Sequence, residues 1–220
     1  MTWIPFGPHA VLLKFASAVG DDAFARCRSI VAELEERPPA GLVEFVPGFT
    51  TMLLEFDPSI VPDPASIAPE LAAKLEGLPV LELPPTPVRE IPIVYDGPDL
   101  ERVARLHNLT SHEVRDLHSA PIYKVYLLGF SPGFPYLGDL DPRLHTPRLP
   151  SPRPKVRAGS VAIGGEHTGV YSVDSPGGWN VIGHTSEKIF DPARKGSEEL
   201  DMFLLKPGDR VKFVPKTLNP

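Results

Sequence analysis

The chain has 220 residues, 42% hydrophobic and 23% charged, a balance that supports a real core in one large domain or two modest ones. Its net charge of −6 argues against nucleic acid as a general partner, and its one cysteine, Cys27, excludes an internal disulfide and suits a reducing cytoplasm. Residues 1–7 lack the regions of a signal peptide and no run approaches about 18 apolar residues, so a cytoplasmic protein without a membrane span is expected.

Residues 10–15 form a short apolar run that reads as a strand. Over 21–37, Phe24, Cys27, Ile30, Val31 and Leu34 share one helical face, and Pro38 and Pro39 stop the helix. Residues 42–46 and 51–56 read as strands around a Pro47-Gly48-Phe49-Thr50 hairpin turn. A second helix sets Ile67, Leu71, Leu75 and Leu78 at helical spacing. With Ser66 as its N-cap, Pro69 falls in the first turn, where its missing N–H costs no bond. The stiff Pro84-Pro85-Thr86-Pro87 connector leads into residues 88–95, which alternate as a strand. Strand–helix–strand–strand–helix–strand is the order of a ferredoxin-like α/β domain, here residues 1–95.

Over 96–220 the pattern changes. Residues 99–107 and 111–118 read as short helices, the second capped by Thr110 or Ser111. Beyond Ile122 no helical period persists. Short apolar strands at 123–128, 160–163, 170–173, 188–190, 202–205 and 210–214 alternate with Gly/Pro turns, an all-β pattern. Ten of the 18 glycines fall within 129–183, where backbone must take unusual conformations or approach something closely.

Gly129-Phe130-Ser131-Pro132-Gly133 matches the G-x-S-x-G of a nucleophile elbow, but Pro132 has no N–H to give an oxyanion hole, so Ser131 is not read as a nucleophile. His112 and His118 stand six apart, which turns them about 120° from each other on a helix, and no other metal-ligand motif occurs. P-loop and G-x-G-x-x-G spacings are absent. Arg143, Arg148, Arg153, Lys155 and Arg157 lie in an acid-free, proline-stiffened stretch. Such a stretch is either an anion site built on guanidinium forks or a solvated basic loop. Ser175-Pro176-Gly177-Gly178-Trp179-Asn180 reads either as backbone donors beside a flat aromatic face or as a tight turn with a core tryptophan. His118, ending a short helix, either complements the helix dipole or acts as acid and base.

Gly129-Phe130-Ser131-Pro132-Gly133-Phe134-Pro135-Tyr136-Leu137, Pro147-Arg148, Pro152-Arg153, Ala158-Gly159-Ser160-Val161-Ala162-Ile163, Gly169-Val170-Tyr171 and Ser175-Pro176-Gly177-Gly178-Trp179 with Ile182-Gly183 together resemble the KipI-like family. Its members also go by allophanate hydrolase subunit 1 and the B subunit of 5-oxoprolinase. Order and spacing match across residues 129–183. Relatives usually carry proline where this chain has Ser172, and arginine or glutamine where it has His184.

The resemblance implies an α+β chain, with the ferredoxin-like domain joined to a cyclophilin-like β-barrel. It implies ATP-dependent opening of 5-oxo-L-proline to L-glutamate alongside subunits A and C, with ATP, and Mg where ATP carries it, bound by the complex. Within that chemistry Arg148 and Arg153 are expected as anion clamps and His118 as general acid and base. Phe134, Tyr136, Gly159, Ser160, Gly177, Gly178 and Trp179 are expected as the substrate- or anion-binding surface. Some members of the family inhibit a sensor histidine kinase through the N-terminal domain, which makes such a kinase the alternative partner. Prolyl isomerisation would follow from fold analogy alone.

Overall fold

The computed structural model describes residues 1–194 and 199–216, and it divides into two compact units, Met1–Pro85 and Thr86–Pro220. In the first, strands β1 (Thr2–Pro5), β2 (Ala10–Lys14), β3 (Leu42–Pro47) and β4 (Thr51–Phe56) form an antiparallel sheet in the order β1-β2-β4-β3. Helix α1 (Asp21–Glu36) joins β2 to β3, and α2 (Pro64–Glu76) follows β4. Period-two alternation buries Val11, Leu13, Met52, Leu54 and Phe56 against Cys27, Ile30, Val31 and Leu34 of α1 and Leu71 and Leu75 of α2.

This is the ferredoxin-like sheet with one strand exchanged. The edge place beside β2, expected for residues 88–95, is taken by β1, a segment too short to show an apolar period. Its four residues end in Pro5, a residue that an edge strand tolerates. Residues Val88–Ile93 instead pair in the second unit, so the division falls at Pro85 rather than at Tyr95. Helix α2 also begins earlier than expected. Asp63, not Ser66, is its N-cap and accepts the Ala65 N–H at 3.1 Å, with Pro64 in the first turn and Pro69 inside the helix. Burial of Ala68, Leu71, Ala72 and Leu75 offsets the hydrogen bond that Pro69 cannot make.

The second unit contains β5 (Val88–Ile93), α3 (Leu100–Leu106), α4 (Ser111–Ser119), β6 (Tyr123–Leu128), β7 (Pro135–Leu137), β8 (Arg153–Val156), β9 (Ser160–Gly164), β10 (His167–Val170), β11 (Ser175–Gly177), β12 (Asn180–His184) and β13 (Arg210–Pro215). Seven strands form one sheet in the order β12-β9-β10-β7-β6-β13-β5, while β8 and β11 pair as a separate ribbon. Just past β5, Val94 and His184 exchange backbone hydrogen bonds of 2.9 and 2.8 Å, so β5 meets β12 and the sheet is nearly a closed barrel. Ile91, Ile93, Tyr123, Val125, Leu137, Val161, Ile163, Val170, Val211 and Phe213 belong to its fully buried core. Thr110 and Glu113 cap α4 reciprocally, as the sequence suggested for Thr110.

Three expected strands are absent. β10 ends at Val170, and residues 188–190 and 202–205 share one isolated bridge, Phe190 to Phe203, beside a 3-10 turn at Glu199–Met202. Their apolar side chains serve packing rather than a ladder: Ile189 and Leu205 enter the core and the Phe190 and Phe203 rings stack at 5.5 Å. Among the described residues no helix is long and apolar enough to cross a membrane.

The seam admits no side chain at Gly183, whose added Cβ would lie 2.4 Å from the Val94 carbonyl oxygen. Gly183→Ala is therefore expected to lower unfolding stability by about 1–3 kcal/mol in urea titration. Unchanged stability would show that β5 and β12 do not close on each other.

Candidate functional site

The second unit carries a cavity of about 70 Å³ walled by aromatic rings. Its floor is Trp179, which lies against Gly164 so closely that a Cβ there would come within 2.4 Å of the indole. Phe134 and Tyr136, carried by β7 and the turn before it, meet the indole edge-on at 5.4 and 5.7 Å. Tyr171, just past β10, packs against Phe134 at 5.2 Å, and Gly177 leaves room for its hydroxyl, which an added Cβ would approach to 2.1 Å. Perpendicular rings of this kind attract edge to face and hold one another rigid.

Among the described residues one cation stands at this cavity. The Arg148 guanidinium lies 5.9 Å from the Trp179 ring centroid, within cation–π range. Its loop is tied down on both sides. The Pro147 carbonyl accepts from the Asn180 side-chain amide at 3.0 Å, and the Leu149 N–H donates to the Gly178 carbonyl at 2.7 Å. Asn180 is fully buried. It also donates to the Ile163 carbonyl at 3.2 Å and accepts from Arg102 at 3.1 Å, so its amide is satisfied and fixed. Elsewhere in the basic stretch Arg143 pairs with Asp141, Arg153 with Asp99 and Lys155 with Asp174. Arg148 makes no ion pair among the described residues and is exposed.

Burial raises the Tyr136 hydroxyl above its ordinary pKa, with Arg148 opposing. Burial likewise raises Tyr171, opposed by the Trp179 backbone N–H and then by Arg148 and Arg153. Both phenols are neutral at physiological pH and do not serve as bases. The Ser131 hydroxyl lies 3.4 Å from that of Ser172.

The rim carries a strained residue. Phe130 has φ 65°, and the Ser131 N–H donates to the Gly129 carbonyl at 2.7 Å across it, closing a three-residue turn of the strained kind. A left-handed backbone costs a bulky residue about 1–2 kcal/mol, yet Phe130 is also 63% exposed.

Of the residues expected at a site, Phe134, Tyr136, Arg148, Gly177, Gly178 and Trp179 come together here, and four do not. His118 is fully buried in the barrel. The Thr168 hydroxyl donates to the Ala162 carbonyl at 3.0 Å, so at 2.8 Å it accepts from His118 Nε2–H. Nδ1 in turn accepts from the Tyr95 hydroxyl at 2.7 Å. The ring packs 4.8 Å from Phe213, and burial holds its pKa down to about 3. His118, expected as acid and base, thus sits in the core as a neutral imidazole with both nitrogens engaged and does not line the cavity. Arg153 donates to Asp99 at 2.7 Å, and the other oxygen of that buried carboxylate takes the Val181 N–H at 2.7 Å. Gly159, at φ 84°, and Ser160 lie where β9 begins, Gly159 packed against the Thr185 carbonyl. Two lining residues, Phe130 and Tyr171, were within the matched runs but not singled out. The aromatic residue framed by Gly129 and Ser131 was the available signal for the first.

The family model for the carboxyltransferase domain, subdomain C and D, matches residues 1–200. The chain is 42% identical over 217 residues to the B subunit of 5-oxoprolinase from Escherichia coli, covering 96% of this chain and 94% of the relative. It is 36% identical over 220 residues to the protein of the same name from Bacillus subtilis, covering 94% and 90%. The crystal structure of TTHA0988 superposes with a TM-score of 0.79 at 40% identity over 96% of this chain. This chain spans 41% of the length of TTHA0988.

The position of His118 has a consequence for acid stability. Its folded pKa, about 3, lies below the ordinary 6.5, so the unfolded chain takes up a proton that the folded chain refuses. The stability it supports is whole above pH 6.5 and is lost progressively as pH falls toward 3. The melting temperature is expected to decline between pH 6.5 and about 5, and His118→Gln should flatten that decline while lowering stability at about pH 7. An unaltered pH slope in the variant would refute the linkage.

Proposed function

The chain belongs to the carboxyltransferase-domain family, subdomain C and D, and from that premise we propose that it is the B subunit of an ATP-dependent 5-oxoprolinase. In this reading it opens 5-oxo-L-proline to L-glutamate together with partner subunits A and C. The observation that carries the proposal is the Arg148 guanidinium held over Trp179 at an aromatic cavity. 5-Oxoproline presents one carboxylate, a small ring with apolar edges and one amide. Arg148 matches the carboxylate, the Phe134 and Trp179 rings match the ring, and the neutral Tyr136 and Tyr171 hydroxyls match the amide.

The same cavity limits what this chain contributes. Among the described residues it contains neither carboxylate nor imidazole, and its phenols are held neutral, so in this reading its part is to bind and orient the lactam rather than to move a proton. A nucleoside triphosphate calls for several cations and backbone donors around its phosphates, whereas Arg148 is the cation that the described residues bring to this cavity. Among the described residues no group of three or more His, Cys, Asp or Glu side chains is arranged to hold a metal ion. In this reading the complex as a whole, rather than this cavity, binds ATP.

Omitting this chain from the assembled complex is expected to abolish glutamate release from 5-oxoproline. Arg148→Ala should raise KM by about 10- to 100-fold, the loss of one charge-assisted hydrogen bond, and Arg148→Lys should recover part of it. Full activity without the chain, or an unchanged KM in Arg148→Ala, would overturn the proposal.

A further inference from the structure

We infer that Phe130 is a specificity-determining residue, the outer wall that selects a closed lactam ring over its open-chain hydrolysis product. The inference rests on the cavity being the lactam site and extends it to the discrimination between substrate and product.

Three observations converge on this residue. Phe130 holds a left-handed backbone that a bulky side chain avoids, in a turn where glycine would sit unstrained. Its ring is 63% exposed, so folding gains little from its burial. The ring is nonetheless placed with care. It stands edge-on to Phe134 at 5.6 Å and 78°, and to Tyr171 at 6.4 Å and 89°. The loop behind it is pinned, because the Gly129 N–H donates to the Phe134 carbonyl at 3.1 Å and the Phe134 N–H to the Ser131 carbonyl at 3.0 Å. Strain and exposure kept together at a cavity rim mark a surface retained for what it meets there.

The chemistry of the rim decides what that is. Among the described residues Arg148 is the one cation lining the cavity, and Phe130 extends its aromatic wall outward. A lactam carrying a single carboxylate places its charge on Arg148 and its methylene edge against Phe130. Opening the ring creates an ammonium and a second carboxylate. Seated on the same carboxylate, the product must strip water from a new charge beside an apolar wall that offers no partner. Phe130 thus favours the ring and disfavours what the reaction makes of it.

The test titrates the full chain with 5-oxo-L-proline and with L-glutamate by calorimetry, alongside thermal melts. Wild type is expected to prefer 5-oxoproline by at least about tenfold. Phe130→Asn and Phe130→Gly, both compatible with the left-handed backbone, should weaken 5-oxoproline binding about tenfold and erase most of the preference, while the melting temperature holds or rises. Phe130→Tyr should retain both affinity and preference. If the Asn and Gly variants keep the wild-type preference while Arg148→Ala loses binding, the cavity reading stands and the role of Phe130 falls. If Arg148→Ala also binds as wild type, or wild type binds neither ligand, the cavity reading fails and takes this inference with it. A drop of several degrees in both the Asn and Gly variants, with preference preserved, would reassign Phe130 to packing.

Discussion

The geometry of the cavity depends on one close approach, the Trp179 indole against the backbone of Gly164. Any side chain at 164 would put its Cβ 2.4 Å from the ring, so the depth at which the tryptophan sits is available to glycine alone. From that floor the rest follows by contact. Phe134 and Tyr136 set their edges on the indole, and Arg148 lies over it. The neighbouring backbone bends to deliver the ring, with register shifts between Ser175 and Gly177 on β11 and between Val181 and Gly183 on β12.

Buried polar groups then fix what the rings have arranged. Burying a carboxylate or an amide is costly unless its hydrogen bonds are made, and here they are made with partners that matter to the site. Asp99 binds Arg153 with one oxygen and the Val181 N–H with the other, tying the start of α3 to β8 and β12. Asn180, next in the chain to Trp179, holds the carbonyl that precedes Arg148. The two arginines therefore divide their roles. Arg153 pairs with a buried acid, while Arg148 stays exposed over the indole.

Strain is concentrated where the scaffold ends. Positive φ in a residue other than glycine occurs at Asn108, Phe130 and Asp139 among the described residues, and of these only Phe130 is aromatic and lines the cavity. Asparagine and aspartate tolerate that backbone through short polar side chains; phenylalanine does not. The surrounding hydrogen bonds over-determine the turn, which is how a fold maintains an unfavourable backbone.

Much of this was legible in the residues. Apolar spacing located α1, α4 and the strands at 123–128 and 210–214, and the Gly/Pro-rich run at 129–183 marked the site region, because period and turn chemistry are local properties. The exclusion of Ser131 was local too, since a proline lacks an N–H in any fold. What the sequence could not determine was partnership. Whether residues 88–93 complete the first sheet or the second depends on hydrogen bonds to a strand more than a hundred residues away, and β13 won them. Whether His118 and Arg153 are reagents or fasteners depends on Tyr95, Thr168 and Asp99, none of them adjacent in the chain. Residue type and spacing determined which groups were available for chemistry; burial and long-range pairing, which exist only once the chain has closed on itself, decided that His118 and Arg153 would be engaged by distant partners while Arg148 stayed exposed beside Trp179.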